Sequence, residues 1–214
     1  MDRLKFIVWW LLRKLGLGPV LLRIHPKSAL RELGWFRSFR RWAPVDRFGA
    51  PIPWWTYPVV HFLEARLRPS FRVLEFGSGH STLWLSQRVR EVIAVESDGG
   101  WAARIRARLP SNGRVVLSRT PETFATEAGE ELGLFDLIVI DGVNRMEVAK
   151  SAFRLLSDTG VIVWDDTERT DWPDIRALLE GRGFREISFR GLRPQVVHIS
   201  RTTVFYRELN CLGV

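Results

Sequence analysis

The sequence is poor in cysteine and in long hydrophobic runs. Cys211 is the only cysteine among 214 residues, so an intrachain disulfide and a cysteine-based zinc site are both excluded. The longest uninterrupted apolar run, 6–12, is far shorter than the ~20 residues that cross a bilayer. No small-residue cleavage site follows this run, so we expect a cytoplasmic protein, either free or peripheral at the inner face of the membrane.

Residues 51–214 lack net charge. Residues 1–50 carry 11 Lys and Arg against 3 Asp and Glu, whereas residues 51–214 carry 21 of each class. The net charge of +8 therefore belongs entirely to the first fifty residues. A neutral body offers no positive groove that would extend a phosphate footprint, so nucleic acid is not expected as a partner.

The basic segment begins with an amphipathic pattern over residues 2–15. Apolar side chains share one side of a projected helix, and basic side chains lie on the other together with tryptophans. This pattern suits a helix on an anionic membrane surface, or one docked on the body or on a partner chain. Residues 16–56 are expected to be irregular, with a short helix near 28–33, and to form a lid over a pocket or simply packed chain. We therefore divide the chain into an N-terminal extension, 1–56, and a main domain, 57–214.

Short apolar runs alternate with amphipathic stretches throughout the main domain. This alternation predicts an α/β fold with a seven-stranded, mostly parallel sheet and helices on both faces. Because no helix separates the last two strands, an antiparallel strand is expected near the C-terminus. The predicted strands are 71–76, 92–96, 114–117, 135–140, 160–164, 184–190 and 202–207, and the predicted helices after the first strand are 80–88, 100–109, 121–128, 144–155 and 171–181.

The clearest chemical signal is the glycine-rich turn 75–79, which reads Glu-Phe-Gly-Ser-Gly after the first strand. Glycines at 77 and 79 permit positive φ and close ligand approach, and the helix that follows offers unpaired N–H groups. A dinucleotide site would favour a third glycine where Thr82 stands. Glu96 ends the second strand, where a carboxylate can accept hydrogen bonds from both hydroxyls of a ribose.

With this turn and Glu96, the sequence resembles the class I S-adenosylmethionine-dependent methyltransferases, which have a Rossmann-like fold. The resemblance covers residues 57–207 and implies that S-adenosylmethionine is the cofactor. It also implies that the turn surrounds the methionine half of the cofactor and that Glu96 holds the ribose. The cofactor-binding residues expected on this basis are Glu75, Gly77, Ser78, Gly79, Glu96, Ser97 and Asp98, the last two beside the adenine.

Two later strands also end in acids, Asp141 on one and Asp165-Asp166 on the other. Since carboxyl ends of parallel strands meet at one edge, all three carboxylates are expected near the glycine turn and could bind Mg²⁺. This pattern resembles the branch of methyltransferases related to catechol O-methyltransferase, in which a metal positions a substrate hydroxyl. Alternatively, Asp141 and Asp165 cap loops and Asp166 acts as a base without metal. The candidate catalytic residues are Asp141, Asp166 and His80, which directly follows the turn.

These observations predict a methyltransferase that acts on an oxygen or nitrogen of a small-molecule or lipid-linked acceptor. Two alternatives stay open at this point. The same fold could use another nucleotide cofactor, for aminopropyl transfer or with NAD, or it could serve as a catalytically silent scaffold at a membrane surface.

Overall fold

A seven-stranded sheet runs through the computed structural model, which describes residues 3–127, 132–168 and 172–214. The spatial order of the strands is β3-β2-β1-β4-β5-β7-β6, and β7 is antiparallel to both of its neighbours. The predicted fold class is thereby confirmed. The strands are β1 (Arg72–Phe76), β2 (Glu91–Glu96), β3 (Gly113–Leu117), β4 (Phe135–Ile140), β5 (Leu156–Asp165), β6 (Arg185–Gly191) and β7 (Ser200–Tyr206).

Helices cover both faces of this sheet. Each helix predicted in the main domain is present, although the predicted termini at Ala128 and Asp171 lie outside the described residues. Thr56 is the residue before α5, and its hydroxyl donates to the Phe189 carbonyl (3.2 Å) instead of capping the helix. The helices are α1 (Arg3–Lys14), α2 (Gly18–Ile24), α3 (Ala29–Glu32), α4 (Trp35–Arg41), α5 (Tyr57–Glu64), α6 (His80–Ser86), α7 (Gly99–Arg106), α8 (Pro121–Glu127), α9 (Arg145–Ala152) and α10 (Trp172–Glu180).

The central strands of the sheet are the most completely buried ones. Strands β1, β2 and β4 are buried at nearly every position, as expected when helices cover both faces of a parallel sheet. Strand β1 pairs with β2 on one side and with β4 on the other. The order of strand addition therefore reverses at β1, and this places a crevice at the carboxyl ends of β1 and β4.

Residues 16–56 are more helical than the sequence analysis predicts. Helix α3 falls within the predicted segment 28–33, but the structure also contains α2 and α4. In α4 the aromatic side chains are Trp35, Phe36 and Phe39, a spacing that places them on one helix side. Gly34 starts α4 with φ +76°, and a Cβ there would lie only 2.3 Å from the backbone of Asp46. The aromatic side chains of this segment therefore have helical spacing, which its alternation of arginines and aromatics did not make apparent in the sequence.

Residues 43–56 form an irregular strap across the body, as their prolines predict. Three indole N–H groups attach α4 and the strap to the body. Trp35 of α4 donates to the Val196 carbonyl (3.0 Å), and in the strap Trp54 donates to the Pro194 carbonyl (2.5 Å) and Trp55 to the Asp141 carboxylate (3.1 Å). Trp55 is completely buried in the hydrophobic core. The boundary at residue 56 stays a prediction, and the strap contributes side chains to the core of the main domain.

Most of the described apolar side chains of helix α1 are exposed to solvent, and Leu12 is partly buried. Exposed fractions run from 44% at Leu11 to 58% at Trp9, and Leu15 just beyond the helix is 66% exposed. These exposed side chains are therefore not docked on the body, and whether α1 contacts a membrane or a partner chain stays a prediction. Within the described residues, no helix has the length and apolar character needed to span a membrane.

Candidate active site at the carboxyl ends of the strands

The turn between β1 and α6 depends on one glycine in particular. Gly77 has φ +102°, and a Cβ at this position would lie 3.3 Å from the backbone carbonyl of Asp141 at the end of β4. A side chain would therefore meet both backbone strain and a neighbouring strand. Gly79, which would also permit positive φ, has an extended backbone with φ 173°, so Gly77 alone uses this freedom in the turn.

Glu75 is a buried carboxyl group beneath this turn. It is 1% exposed and accepts hydrogen bonds from the hydroxyls of Ser81 and Thr82, the latter at 2.6 Å. Thr82 also accepts the Gly79 N–H at 2.9 Å, which ties the carboxyl group to the turn. Burial raises the pKa of Glu75 to about 8, and the two hydroxyls oppose that rise only in part. Glu75 is thus mainly protonated at pH 7 and becomes a carboxylate readily when a cation approaches.

Glu96 organises the neighbouring loop. One of its carboxylate oxygens accepts the Ser78 N–H (3.0 Å) and hydroxyl (2.8 Å), and the other accepts the N–H groups of Ser97 (2.8 Å) and Asp98 (3.0 Å). Asp98 itself is the N-cap of α7 and accepts the Trp101 N–H at 2.7 Å. Glu96 therefore holds both loops that border the crevice.

A cavity of about 300 Å³ lies against these loops and is referred to below as the donor cavity. Polar groups from three strand ends line it, together with the apolar Val95, Pro121 and Val143. Most of the predicted cofactor-binding residues are among the lining residues: Glu75, Gly77, Ser78, Glu96 and Ser97.

A second cavity of about 640 Å³, the acceptor cavity, adjoins the donor cavity. Ser78, Ser81 and Asp141 line both cavities, so the two spaces meet at these side chains. The wall of the acceptor cavity away from the sheet comes from the N-terminal region and from the loop between β6 and β7. The aromatic and polar residues of this wall include Trp42, Trp54, Arg193 and Gln195, and the helices α6 and α7 add His80 and Trp101 to the lining of the cavity.

The three predicted strand-end aspartates do come together, and two arginines lie among them. Arg145 contacts Asp141 (3.4 Å) and Asp166 (3.2 Å). Arg193 contacts Asp166 (2.7 Å) and Asp165 (3.3 Å). Each guanidinium therefore bridges two carboxyl groups, and positive charge lies within the cluster.

Burial and these arginines give the three carboxyl groups different pKa values. Burial raises the pKa of Asp141 to about 6, while Arg145 and the Trp55 N–H oppose the rise. Burial and the two neighbouring aspartates raise the pKa of Asp165, which accepts the Thr202 hydroxyl at 2.5 Å. Burial acts in the same direction on Asp166, but Arg193 and Arg145 outweigh it and lower the pKa of Asp166. The cluster thus contains an anionic Asp166 and a titratable Asp141.

The predicted Mg²⁺ site does not fit this arrangement. A hard divalent cation needs several ionised oxygen ligands, whereas here Asp165 favours its neutral form and arginines contact all three side chains. Across residues 3–127, 132–168 and 172–214, no group of three or more His, Cys, Asp or Glu side chains is arranged to hold a metal ion. The charge that a metal would supply comes from the two guanidinium groups.

His80 lies in the acceptor cavity with its Nε2 3.5 Å from a guanidinium nitrogen of Arg108. Burial, helped by this positive charge, lowers the pKa of His80 to about 4. At neutral pH the imidazole is therefore uncharged and can form a hydrogen bond with a ligand.

Sequence reasoning missed both arginines and Trp55. Arg145 follows Asp141 by four residues at the start of a helix, a spacing that could have indicated an ion pair. Arg193 and Trp55 lie 28 and 86 residues from their partners along the chain. No local sequence signal could have placed them there.

Comparison with known proteins agrees with this architecture. Residues 74–167 match the model of a family described as a methyltransferase domain. Over 106 residues the chain is 35% identical to protein-L-isoaspartate O-methyltransferase 2 of Rhodopseudomonas palustris, which covers 47% of this chain and 46% of that protein. The chain thus spans less than half the length of this curated relative.

Solved structures extend the likeness over most of the chain. An O-methyltransferase from Bacillus cereus in complex with S-adenosylhomocysteine has a TM-score of 0.62 at 14% identity and covers 90% of this chain and 97% of its own. The O-methyltransferase TomG from Streptomyces achromogenes, involved in tomaymycin synthesis and in complex with S-adenosylmethionine, has a TM-score of 0.60 at 17% identity, with coverage of 90% and 96%. At these identities the likeness establishes a shared Rossmann-like fold.

Proposed function

We propose that this chain is an S-adenosylmethionine-dependent methyltransferase that transfers a methyl group to an oxygen or nitrogen of a small-molecule or lipid-linked acceptor. The match of residues 74–167 to a methyltransferase domain supports the proposal. One observation supports this above all: the donor and acceptor cavities meet at Asp141, a carboxyl group with a pKa of about 6. A base at the junction of two cavities is in reach of the proton that an acceptor must lose.

The donor cavity suits the parts of S-adenosylmethionine. Glu75 is the group that would face the α-ammonium, because its carboxyl group ionises readily beside a cation. Glu96 would hold the ribose hydroxyls in competition with the Ser78 hydroxyl that it now accepts. Ser97, which lines the cavity, would lie beside the adenine, whereas Asp98 would act indirectly, as the N-cap of α7.

Methyl transfer at this site is a displacement at carbon. The acceptor oxygen or nitrogen forms a bond to the methyl carbon while the bond from that carbon to sulfur breaks, which yields S-adenosylhomocysteine. Asp141 takes the proton that the acceptor loses. Asp166 stays anionic and would orient the acceptor by accepting a hydrogen bond, and neutral His80 would add a polar contact. The protein contributes mainly alignment of the two reactants.

The reaction is proposed to need no metal, since Arg145 and Arg193 already neutralise the carboxylates. Activity after treatment with excess chelator should equal that of untreated protein, and added Mg²⁺ should not increase it. Activity lost with chelator and regained with Mg²⁺ would contradict the metal-free reaction.

Titration calorimetry with S-adenosylhomocysteine tests the proposed cofactor directly. We expect a single site per chain and a rise in melting temperature on binding. The absence of both heat and thermal shift at millimolar ligand would refute the proposal. The acceptor is then sought by incubating the protein and methyl-labelled cofactor with metabolite and lipid fractions of the source cells. Label transferred by wild-type protein but not by the Asp141→Asn variant identifies the enzymatic product and excludes a silent scaffold.

We further propose that α1 lies on an anionic membrane surface. Its exposed apolar residues and its basic residues Arg3, Arg13 and Lys14 have the character of an interfacial helix. Flotation with anionic vesicles should be weaker for a Trp9→Ala, Trp10→Ala double variant than for wild type. Equal flotation of the two proteins would refute this position for α1.

A further inference from the structure

A third cavity, of about 810 Å³, lies in the N-terminal region, where α2, α3, α4 and the strap meet. None of its lining residues belongs to the donor or acceptor cavity. We call this space the arginine cavity. It is lined by three aromatic side chains of α4 together with Arg23, Arg31, Arg37, Arg40 and Arg47.

The arginine cavity contains positive charge without a matching negative charge. Its lining includes no aspartate or glutamate. Within the described part of the chain, none of its five arginines forms an ion pair, whereas arginines of the body such as Arg72 and Arg88 do. The nearby Asp46 is not among the lining residues, and one of its carboxylate oxygens, Oδ1, accepts three backbone N–H groups of the strap at 2.7–2.9 Å. Five clustered guanidinium groups create a field that attracts an anion.

Several of these arginines are already held in place. Arg31 donates from Nε to the Arg23 carbonyl (2.6 Å), and Arg37 donates to the Phe48 carbonyl (3.3 Å). Arg47 lies over the Phe48 ring, 4.6 Å from its centroid. Each of the two hydrogen bonds uses one of the five N–H donors of a guanidinium. The remaining donors suit the oxygens of a phosphate, to which arginine binds in a bidentate manner.

The surroundings of the arginine cavity point to a lipid as the source of that phosphate. Helix α2 contributes Arg23 to the cavity and carries the exposed Val20, and the exposed Leu15 and Leu17 connect it to α1. Cationic and apolar groups thus share one end of the molecule. A soluble phosphate compound would use only the cationic groups, whereas an anionic phospholipid at a bilayer surface would use both.

We propose that the arginine cavity binds the phosphate of an anionic phospholipid head group. This inference rests on the membrane position proposed for α1. It adds a specific head-group site to the general attraction between a basic helix and an anionic surface.

The test uses the full chain and phosphatidylcholine vesicles with and without phosphatidic acid. An Arg37→Gln, Arg40→Gln double variant removes two charges from the cavity. An Arg104→Gln, Arg114→Gln double variant removes two exposed charges from the body and serves as the matched control. At roughly fivefold per arginine near an anionic surface, the cavity variant should bind phosphatidic acid vesicles about 30-fold more weakly, with little change in the control. Equal weakening of both variants, or of neither, would overturn the proposal.

Two further measurements separate the competing explanations. Inorganic pyrophosphate and a single-stranded oligonucleotide are titrated against wild type and the cavity variant. If the substitutions weaken either of these ligands but leave vesicle binding intact, the cavity serves a soluble phosphate or a nucleic acid, and the lipid proposal fails. If the cavity variant loses vesicle binding while the Trp9→Ala, Trp10→Ala variant keeps it, the head-group site stands and the position proposed for α1 fails.

Discussion

Replacing Glu75 by glutamine tests the cofactor site through its most perturbed group. The substitution keeps the shape of a buried side chain but removes its ability to ionise. Since burial raises the pKa of Glu75 to about 8, wild type at pH 7 is mainly neutral at this position, as the variant is. Little stability should therefore be lost at pH 7. The two proteins should differ once a cationic cofactor binds.

The expected difference depends on pH in a calculable way. A hydrogen bond to an ionised group contributes at most about 3 kcal/mol. Ionising Glu75 one unit below its pKa, at pH 7, costs about 1.4 kcal/mol, which leaves about 1.6 kcal/mol or a roughly 15-fold advantage for wild type. At pH 6 ionisation costs about 2.7 kcal/mol, so the advantage falls below about twofold.

Calorimetric titration of both proteins with S-adenosylhomocysteine at pH 6 and pH 7 measures this ratio. Glu91→Gln is a matched control, because Glu91 is the first residue of β2. It lies at the amino ends of the parallel strands, away from the cavities, and pairs with Arg72. An affinity ratio that is the same at both pH values, or a variant that binds like wild type at pH 7, would refute the role of Glu75. The free energy of unfolding provides a second test. A carboxyl group whose pKa is raised on folding costs stability as pH increases toward 8, so the stability of the Glu75→Gln variant should increase relative to that of wild type over that range.

Three other substitutions test the rest of the site. Asp141→Asn should slow methyl transfer by roughly 10²–10⁴ while cofactor affinity stays near wild type, as measured by rate assay and calorimetry; an unchanged rate would exclude Asp141 as the base. Gly77→Ala should lose about 1–3 kcal/mol in denaturant unfolding and lose cofactor binding, whereas Gly183→Ala, with φ +77° and open space around it, should lose less and still bind. Trp55→Phe removes a hydrogen bond that lowers the pKa of Asp141 and should shift the acid limb of the pH–rate profile, near pH 6, to higher pH; a limb that stays in place would contradict this coupling.

The parallel core could be predicted because its information is local. Each central strand is a short apolar run whose burial on both faces needs no knowledge of its neighbours. Helix α4 was missed for a physical reason. Its first residue follows Gly34, and the buried Ser38 bonds to both the N–H and the carbonyl of Val45 (3.0 and 2.8 Å), so the helix depends on the strap that comes after it. Tertiary contact, not helical propensity, stabilises this element.

Some residues of the candidate site could likewise be predicted from local sequence, and others could not. Glu75 and Glu96 could be picked out because each lies at a fixed position relative to a strand end and a turn. The carboxylate cluster could be located from the ends of two strands, β4 and β5, but its protonation and charge balance could not be predicted. Its protonation and charge balance depend on Arg193, which reaches the cluster from the loop between β6 and β7. A pattern of acids alone therefore suggested a metal that the folded charge distribution disfavours.

Arginine has two different roles in this protein, which the net charge of the sequence does not distinguish. In the body, Arg145 and Arg193 are among 21 basic residues balanced by 21 acidic ones, and they act in the cluster because they are paired. In the first fifty residues the balance is absent, and the five arginines of the arginine cavity have no carboxylate partners among the described residues. Paired arginines adjust the pKa values of the candidate site, whereas the arginines of the arginine cavity are the ones proposed to bind an anion from outside the chain. The neutral body therefore contains the candidate site of the proposed reaction, and the basic extension contains the surface on which that reaction is proposed to take place.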